Sequence, residues 1–592
     1  MKRIMIKCLL FATAVISTSA VRGAQFYIAS CGRASASIVV NSDAPATKFA
    51  ASELARYVKA MSGADIQVVV GRKTGGARVE LDDRLKGAAS EEFFIEVKGS
   101  ALTLSGGSPR AVLYAVYELL EHLGCGFWSP INETVPSRRD LYVDSAWKVS
   151  AKPAFAWRQV HSQYGYNMKW KPKMRINGRM WTSATPENLG GWEAMDMGQS
   201  LGGLNAGEAG KKLFAEHPDW FAWREKEKKR VRQQMCTSND EVVTAVVARI
   251  RSKYKTNPAK TGYVSVSMRD NDKTCQCEKC RKFSKRHGGA SALIADCANR
   301  VGRAIANDLP NVRVVFLAYW ITGNPPKDMV LEPNVTVCWA MLRNFAVPPS
   351  KVPGHDTALN RWRALAHDNV VIWDYNAQFK GFLLPTPIID MMGPGLREYE
   401  AKNVKGVLMQ MAGFGAPLMD FAELRSWLCA KLMWNPRQDE WALMQQWCDG
   451  ACGAGASAVK EWLELRRAAR ERKCRYGPYD PDSLHVFTPK ELVLGYELML
   501  KALGATEGDP RTHAQVRRLS LSPITALICN YNRGISAAAK ADKVAIPERE
   551  RLIDEFEAIC AEYKVTSFGE GMPSVPEFIK LMRGGGELLK GK

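Results

Sequence analysis

Between residues 154 and 411 the chain carries seven short β-like apolar runs, at 154–162, 195–201, 262–269, 312–319, 335–342, 370–375 and 404–411. Helix-like stretches such as 290–307 fall between them, and 421–432 follows the last. Parallel strands cannot be joined by tight hairpins, so a strand and helix succession of this length predicts a parallel (β/α) sheet, and seven strands over this span predict a TIM-type barrel. No eighth strand stands out.

The flanks follow different rhythms. Upstream, strand signals at 37–40, 66–70, 93–97 and 101–105 alternate with helical patterns at 44–61 and 109–123, each stopped by a glycine, Gly63 or Gly124. That predicts a small α/β domain closed by Phe127-Trp128-Ser129-Pro130. Downstream of Pro436 the pattern is helical, with candidates at 441–448, 457–473, 489–503, 511–531 and 548–562. The expected fold is therefore α/β: an accessory α/β domain (25–148), a barrel (149–436) and a helical C-terminal region (437–592). A chain of 592 residues exceeds one compact core, in keeping with several domains.

Residues 1–24 read as a secretory signal: Lys2, Arg3 and Lys7 precede an apolar run from Cys8 to Ile16, with small residues at 18–20 and 21–23. The expected location is periplasmic or extracellular. No later stretch reaches the length of a membrane-spanning helix. The net charge of +21 favours acidic partners, anionic glycans included, but it is scattered. Its one dense run, Arg224 to Arg232, lies between two strand-like pieces and reads as a solvated hairpin. No nucleic-acid motif is present.

The densest chemistry lies in YVSVSMRDNDKTCQCEKC, residues 263–280. Val264, Val266 and Met268 alternate with Ser265, Ser267 and Arg269, and the strand exits into Asp270-Asn271-Asp272. Residues two apart on an extended chain project to one side, so Asp270 and Asp272 are candidate paired carboxylates, one of them raised towards an acid by the other's charge. The competing reading is an Asx turn capped by Asp270 or Asn271. Asp374 ends another strand between Trp373 and Tyr375; its alternative is a salt bridge to Arg158. Tyr319, Trp320, Trp373 and Tyr375 are candidates to stack on sugar faces, and Arg158 and Gln199 are further candidate substrate-binding residues. Cys275, Cys277 and Cys280 fit either a structural zinc site completed by Cys236 or His287, or two disulfides using Cys236; both staple the loop, and neither makes the thiols catalytic. Most other cysteines, such as Cys338, Cys429, Cys529 and Cys560, sit singly in apolar segments.

Two resemblances add to this reading. SGGSPRAVLYAVYELLEHLGCGFWSP, residues 105–130, looks like the accessory α/β domain preceding the barrel in β-hexosaminidases and α-glucuronidases. HPDW (217–220), QQMCTSND around Cys236, D-x4-C-x-C-x2-C (270–280), AYWITGNPP (318–326), IWDY (372–375) and AKLMWNP (430–436) together resemble the domain of unknown function 4838 family, part of which is classified as glycoside hydrolase family 163. That resemblance implies a retaining endo-β-N-acetylglucosaminidase-type activity, substrate-assisted and with no catalytic cofactor, on a glycan or glycoprotein. The chain departs from the family at Gln199, where a histidine is frequent, and at Met409 and Gln410, where an acid is frequent. The alternatives are a glycan-binding protein without turnover and, more remotely, a metallohydrolase using the cysteines.

Overall fold

A computed structural model describes residues 24–71, 75–180, 186–199, 201, 203–413, 415–473, 475–541 and 545–588. The expected signal segment falls, but for Ala24, outside the described residues.

The N-terminal layer is a mixed six-stranded sheet ordered Lys148–Ala151, Phe93–Lys98, Ala101–Gly106, Arg78–Asp82, Ser37–Val40, Val68–Val70. Its helices begin and stop where the sequence signals lie. Pro45–Ser62 opens on proline and ends at Gly63 with φ +79°. Pro109–His122 is capped by the Ser108 hydroxyl, which accepts from the Ala111 N–H at 3.3 Å. Just before it, a Cβ on Gly107 would lie 2.1 Å from the Ala89 carbonyl oxygen, so only glycine fits that turn. The strand Arg78–Asp82, unforeseen in the sequence, is parallel to both its neighbours.

The middle of the chain forms a second, all-parallel sheet in the order Trp157–His161, Gly406–Gln410, Val370–Tyr375, Val335–Ala340, Val312–Tyr319, Gly262–Ser265. Ladders join six strands here, so the hydrogen-bonded sheet is a curled half-barrel. On its open side stands a parallel pair, Gly178–Met180 with Glu193–Met195. Side chains tie that pair in: the Trp157 indole donates to the Glu193 carbonyl at 2.7 Å and the Ser265 hydroxyl to the Gly198 carbonyl at 2.6 Å. One apolar layer draws on both sheets, with Met180, Met195 and Met197 packed among Trp157, Val315, Leu317, Cys338, Val371 and Leu408. Expected strand 195–201 is thus shifted to 193–195, and Gly178–Met180 is an element the sequence reading lacked. Expected strand 262–269 leaves the ladder at Ser265. Beyond it the Ser267 hydroxyl accepts the Leu317 N–H at 3.0 Å, and the Gln234 amide brackets Arg269, accepting from its N–H at 3.1 Å and donating to its carbonyl at 2.7 Å. The basic run is the turn and return strand of a hairpin, Phe221–Arg224 with Lys229–Met235.

The C-terminal region is helical, as expected, and includes Ala456–Lys473, Pro489–Thr506, Pro510–Asn530, Arg549–Tyr563 and Val575–Arg583. It is fused to the sheet through the buried Asp420 carboxylate, which is held by Arg425 at 2.9 Å, by Arg466 and by the Ser522 hydroxyl at 2.8 Å. Two of its loops fold back over the C-terminal ends of the parallel strands. The Phe379 N–H donates to the Pro478 carbonyl at 2.7 Å, and the Glu570 N–H donates to the Phe379 carbonyl at 2.6 Å. Among the described residues no helix is long and apolar enough to cross a membrane.

Candidate functional site

Parallel strands deliver side chains to the end where the chain exits, and the loops there form the candidate site. Asp270 lies in the bend after the extended segment 266–269 and is exposed. The Tyr319 phenol, on the next strand, donates to its carboxylate at 3.1 Å. Asn271 makes the Asx turn, its side-chain oxygen accepting the Lys273 N–H at 3.0 Å and the Gln234 amide at 3.1 Å. The Asp270 carboxylate is thereby left to face the Tyr319 side. Asp272 is also exposed, but the Asn271 N–H turns back to the Arg269 carbonyl at 2.8 Å, so the backbone between the two aspartates is not extended. The extended backbone on which their same-side pairing was expected is therefore absent.

Around Asp270 stand groups from three other parts of the chain. Burial pushes the Tyr319 phenol up, and the neighbouring Asp270 charge and hydrogen bond push it further. The Tyr375 phenol is raised by burial, then by Tyr479, Cys338, Asp270 and Asp374. The half-exposed Tyr479 is raised by burial, Glu570 and Asp270. Glu570 itself is held above the usual carboxylate range by desolvation, with Lys380 opposing and the negative charge of Asp270 adding. Phe379 joins the wall, its ring 5.6 Å from Tyr375 and 5.5 Å from Tyr479. Trp320 is 60% exposed and has φ +48°, a left-handed backbone that a bulky residue adopts only under constraint. The constraint is local: the Thr322 hydroxyl accepts the Tyr319 N–H at 3.2 Å and donates to the Tyr319 carbonyl at 2.9 Å.

A second group lies along the same rim. Gln410 is in register with both His161 and Tyr375, and its amide oxygen accepts the Trp373 indole N–H. His161 contacts the Tyr166 hydroxyl at 2.6 Å, and burial lowers its imidazole to about 4, so it is neutral at neutral pH. Gln199 is half-buried in the bend after Glu193–Met195.

Three expected residues are elsewhere. Asp374 is buried, with Arg343 reaching its two oxygens at 3.1 and 3.2 Å and the Tyr399 phenol at 3.2 Å. Val371 and Trp373 belong to the inner layer, so Asp374 by strand parity faces outward. Its partner is Arg343, not Arg158. Arg158 is 1% exposed and binds Glu91 of the N-terminal layer at 2.9 and 3.1 Å, also donating to the carbonyls of Phe155 and Arg175. It has no route to a sugar. Met409 is buried opposite in parity to Leu408, so the rim position on that strand belongs to Gln410. His161, Tyr166, Tyr479 and Glu570 were not foreseen.

The four cysteines do come together. The sulfurs of Cys236, Cys275, Cys277 and Cys280 all lie within 4.8 Å of one another, and among the described residues no disulfide is formed. His287 is not in the cluster; its ring nitrogen meets the Lys327 carbonyl at 3.2 Å.

Three comparisons place this geometry. No curated protein matches the sequence. Among solved structures the chain is similar to "a novel family GH115 4-O-methyl-α-glucuronidase, BtGH115A, with specificity for decorated arabinogalactans", with TM-score 0.60 and 13% identity over 92% of this chain and 78% of that one. It is more distantly similar to CpGH84B (TM-score 0.48, 12% identity, 92% and 96% covered) and to a β-N-acetylhexosaminidase from Bacteroides fragilis NCTC 9343 (0.43, 13%, 70% and 88%). The likeness is one of fold alone, and it is carried by the first. Residues 127–464, more than half of the chain, match a single family, and the protein belongs to it: the family described as Domain of unknown function (DUF4838).

Proposed function

We propose that this protein is an exported glycoside hydrolase of the family 163 type, retaining and substrate-assisted, acting on glycans that contain N-acetylhexosamine. In this reading the six-stranded sheet and the Gly178–Met180 pair together make an eight-stranded (β/α) barrel. The observation that carries the proposal is the Asp270 carboxylate, bonded by Tyr319 and surrounded by Tyr375, Tyr479 and Glu570 where the strands exit. The amino-terminal charge and apolar pattern supports export, and the excess of basic residues favours an anionic glycan or glycoprotein.

The chemistry follows from the two carboxyl groups. The acetamido oxygen of the sugar attacks the anomeric carbon as the glycosidic bond breaks, while Asp270 accepts the acetamide N–H and stabilises the positive charge that develops. Glu570, whose carboxyl is shifted towards its protonated form by desolvation and by the charge of Asp270, donates its proton to the departing oxygen. Water then adds at the anomeric carbon, Glu570 recovers a proton, and the acetamide is restored. Tyr319 orients Asp270, and the exposed rings offer faces for sugars.

The test is product analysis by mass spectrometry on a panel of N-glycans and mucin glycans, with the Asp270→Asn variant as control. Released product that disappears in the variant is expected; equal release by both overturns the assignment. A second reading rests on Gln410, a neutral amide engaged by Trp373 where an acid is frequent in the family. It makes the protein a glycan binder, and retention on a glycan array without product release would establish it.

A further inference from the structure

We propose that Cys236, Cys275, Cys277 and Cys280 hold one zinc ion in a closed four-sulfur site that fixes the Asp270 bend to the hairpin 221–235. The arrangement of the sulfurs points to a metal. A zinc ion bonded to four thiolates at about 2.3 Å spans a tetrahedron whose edges are about 3.8 Å. Cys236 lies 3.8 Å from Cys280 and 3.9 Å from Cys277, and all four sulfurs fall within 4.8 Å of one another. Disulfide sulfurs would sit at about 2.05 Å and pair off two by two. Here one sulfur, Cys236, is equidistant from two others, which is the relation of ligands sharing a centre.

The surroundings suit thiolates. The Trp223 N–H points at the Cys275 sulfur at 3.3 Å, and the Ser238 hydroxyl is 3.1 Å from Cys280. Cys277 is the N-cap of the helix Glu278–His287 and Cys280 lies in its first turn, where the backbone N–H groups favour negative charge. Cys236, Cys275 and Cys280 are buried and Cys277 is half-buried, and four protein sulfurs complete the coordination of zinc with no position left for substrate or water. The site is therefore structural.

Its position gives it a task. Cys236 directly follows the hairpin strand Lys229–Met235, and Cys275 lies five residues after Asp270. Between these anchors the hairpin also grips the bend: the Gln276 N–H donates to the Trp223 carbonyl at 2.8 Å, Arg224 donates to the Thr274 carbonyl at 3.1 Å, and the Glu225 N–H to the Gln276 side chain at 2.9 Å. The metal would lock both ends of a loop that otherwise depends on a few hydrogen bonds. This inference stands independently of what the Asp270 site acts upon.

The test is elemental analysis and native mass spectrometry of the full chain, purified without added metal or chelator. One zinc per chain is expected, released in step with modification of four thiols by a mercurial and replaced by cadmium with a thiolate-to-metal charge-transfer band. Cys236→Ser and Cys280→Ser should each lose the zinc and lower the melting temperature. Should those variants fail to fold, the measurements on the unaltered protein decide alone. Protein free of metal, peptides linked through Cys236 by a disulfide, or iron in place of zinc would each overturn the proposal.

Discussion

The Tyr319 hydroxyl donates to the Asp270 carboxylate at 3.1 Å, joining the exits of two adjacent parallel strands through one hydrogen bond. The bond is not part of the ladder between these strands, which ends at Ser265, and Asp270 is exposed. Asp270→Asn should therefore lower turnover by about a hundredfold or more while leaving the melting temperature unchanged. Tyr319→Phe should lower turnover by about tenfold, the worth of one hydrogen bond to a charged group. Parallel steady-state kinetics and thermal melts check both. A loss of stability equal to the loss of activity would make the pair a structural clasp.

Glu570 supplies the second carboxyl in the proposed reaction, and its desolvation sets a direction for pH. A carboxyl raised in the folded state binds its proton at a pH where the unfolded chain has released it. Stability contributed by that proton is present at low pH and is lost as pH rises through the folded value. The acid needed to protonate the leaving oxygen is lost over the same range, so activity should fall on the alkaline side. Glu570→Gln should cost about a hundredfold on natural glycans and far less on nitrophenyl glycosides, whose leaving groups need no proton. An equal loss on both substrates would remove Glu570 from the role of acid.

Arg158 offers the opposite case, a residue at a strand that looks functional and is not. Its guanidinium is buried against Glu91, with Trp434 beneath it at 5.4 Å. Removing one partner leaves a buried charge uncompensated, so Glu91→Ala and Arg158→Ala should each destabilise the fold by about 3–5 kcal/mol. In the proposed reaction, KM of the remaining folded protein should not change. Denaturant melts with kinetics on the same samples measure both quantities, and a raised KM at full stability would return Arg158 to the sugar site.

These cases show what was legible before the structure and why. The long strands were readable because strands of a covered parallel sheet bury an apolar row, as Val264, Val266 and Met268 do against the outer core. Gly178–Met180 was not, being three residues long and held beside the sheet by Asn177, whose side chain accepts the Arg158 N–H at 2.9 Å. Arg78–Asp82 hid its buried Val79 and Leu81 among charges. Within the site, Asp270 announced itself at a strand exit. Asp374, next to the end of Val370–Tyr375, did so equally well, and Arg158 was a candidate from the start of Trp157–His161; parity with Trp373 and Trp157 sets both apart, a test the sequence allowed. Glu570 had no local signal of its role: it stands between Gly569 and Gly571 in a loop some 300 residues from Asp270, brought over the rim by the Phe379 carbonyl.

Trp320 carries the clearest separation between stability and function. At φ +48° its backbone costs on the order of 1 kcal/mol, and its ring, 60% exposed, recovers little of that by burial. Asparagine tolerates the same left-handed conformation and lacks the ring. Trp320→Asn should therefore raise stability by about 1 kcal/mol, a gain visible in denaturant melts. If the ring stacks on a sugar beside Asp270, the same change should raise KM by about tenfold with little effect on kcat, because the contact is made equally in the bound substrate and the transition state. Stability that falls together with affinity would mean that the indole is packed rather than presented, and the strained turn would then belong to the fold and not to the site.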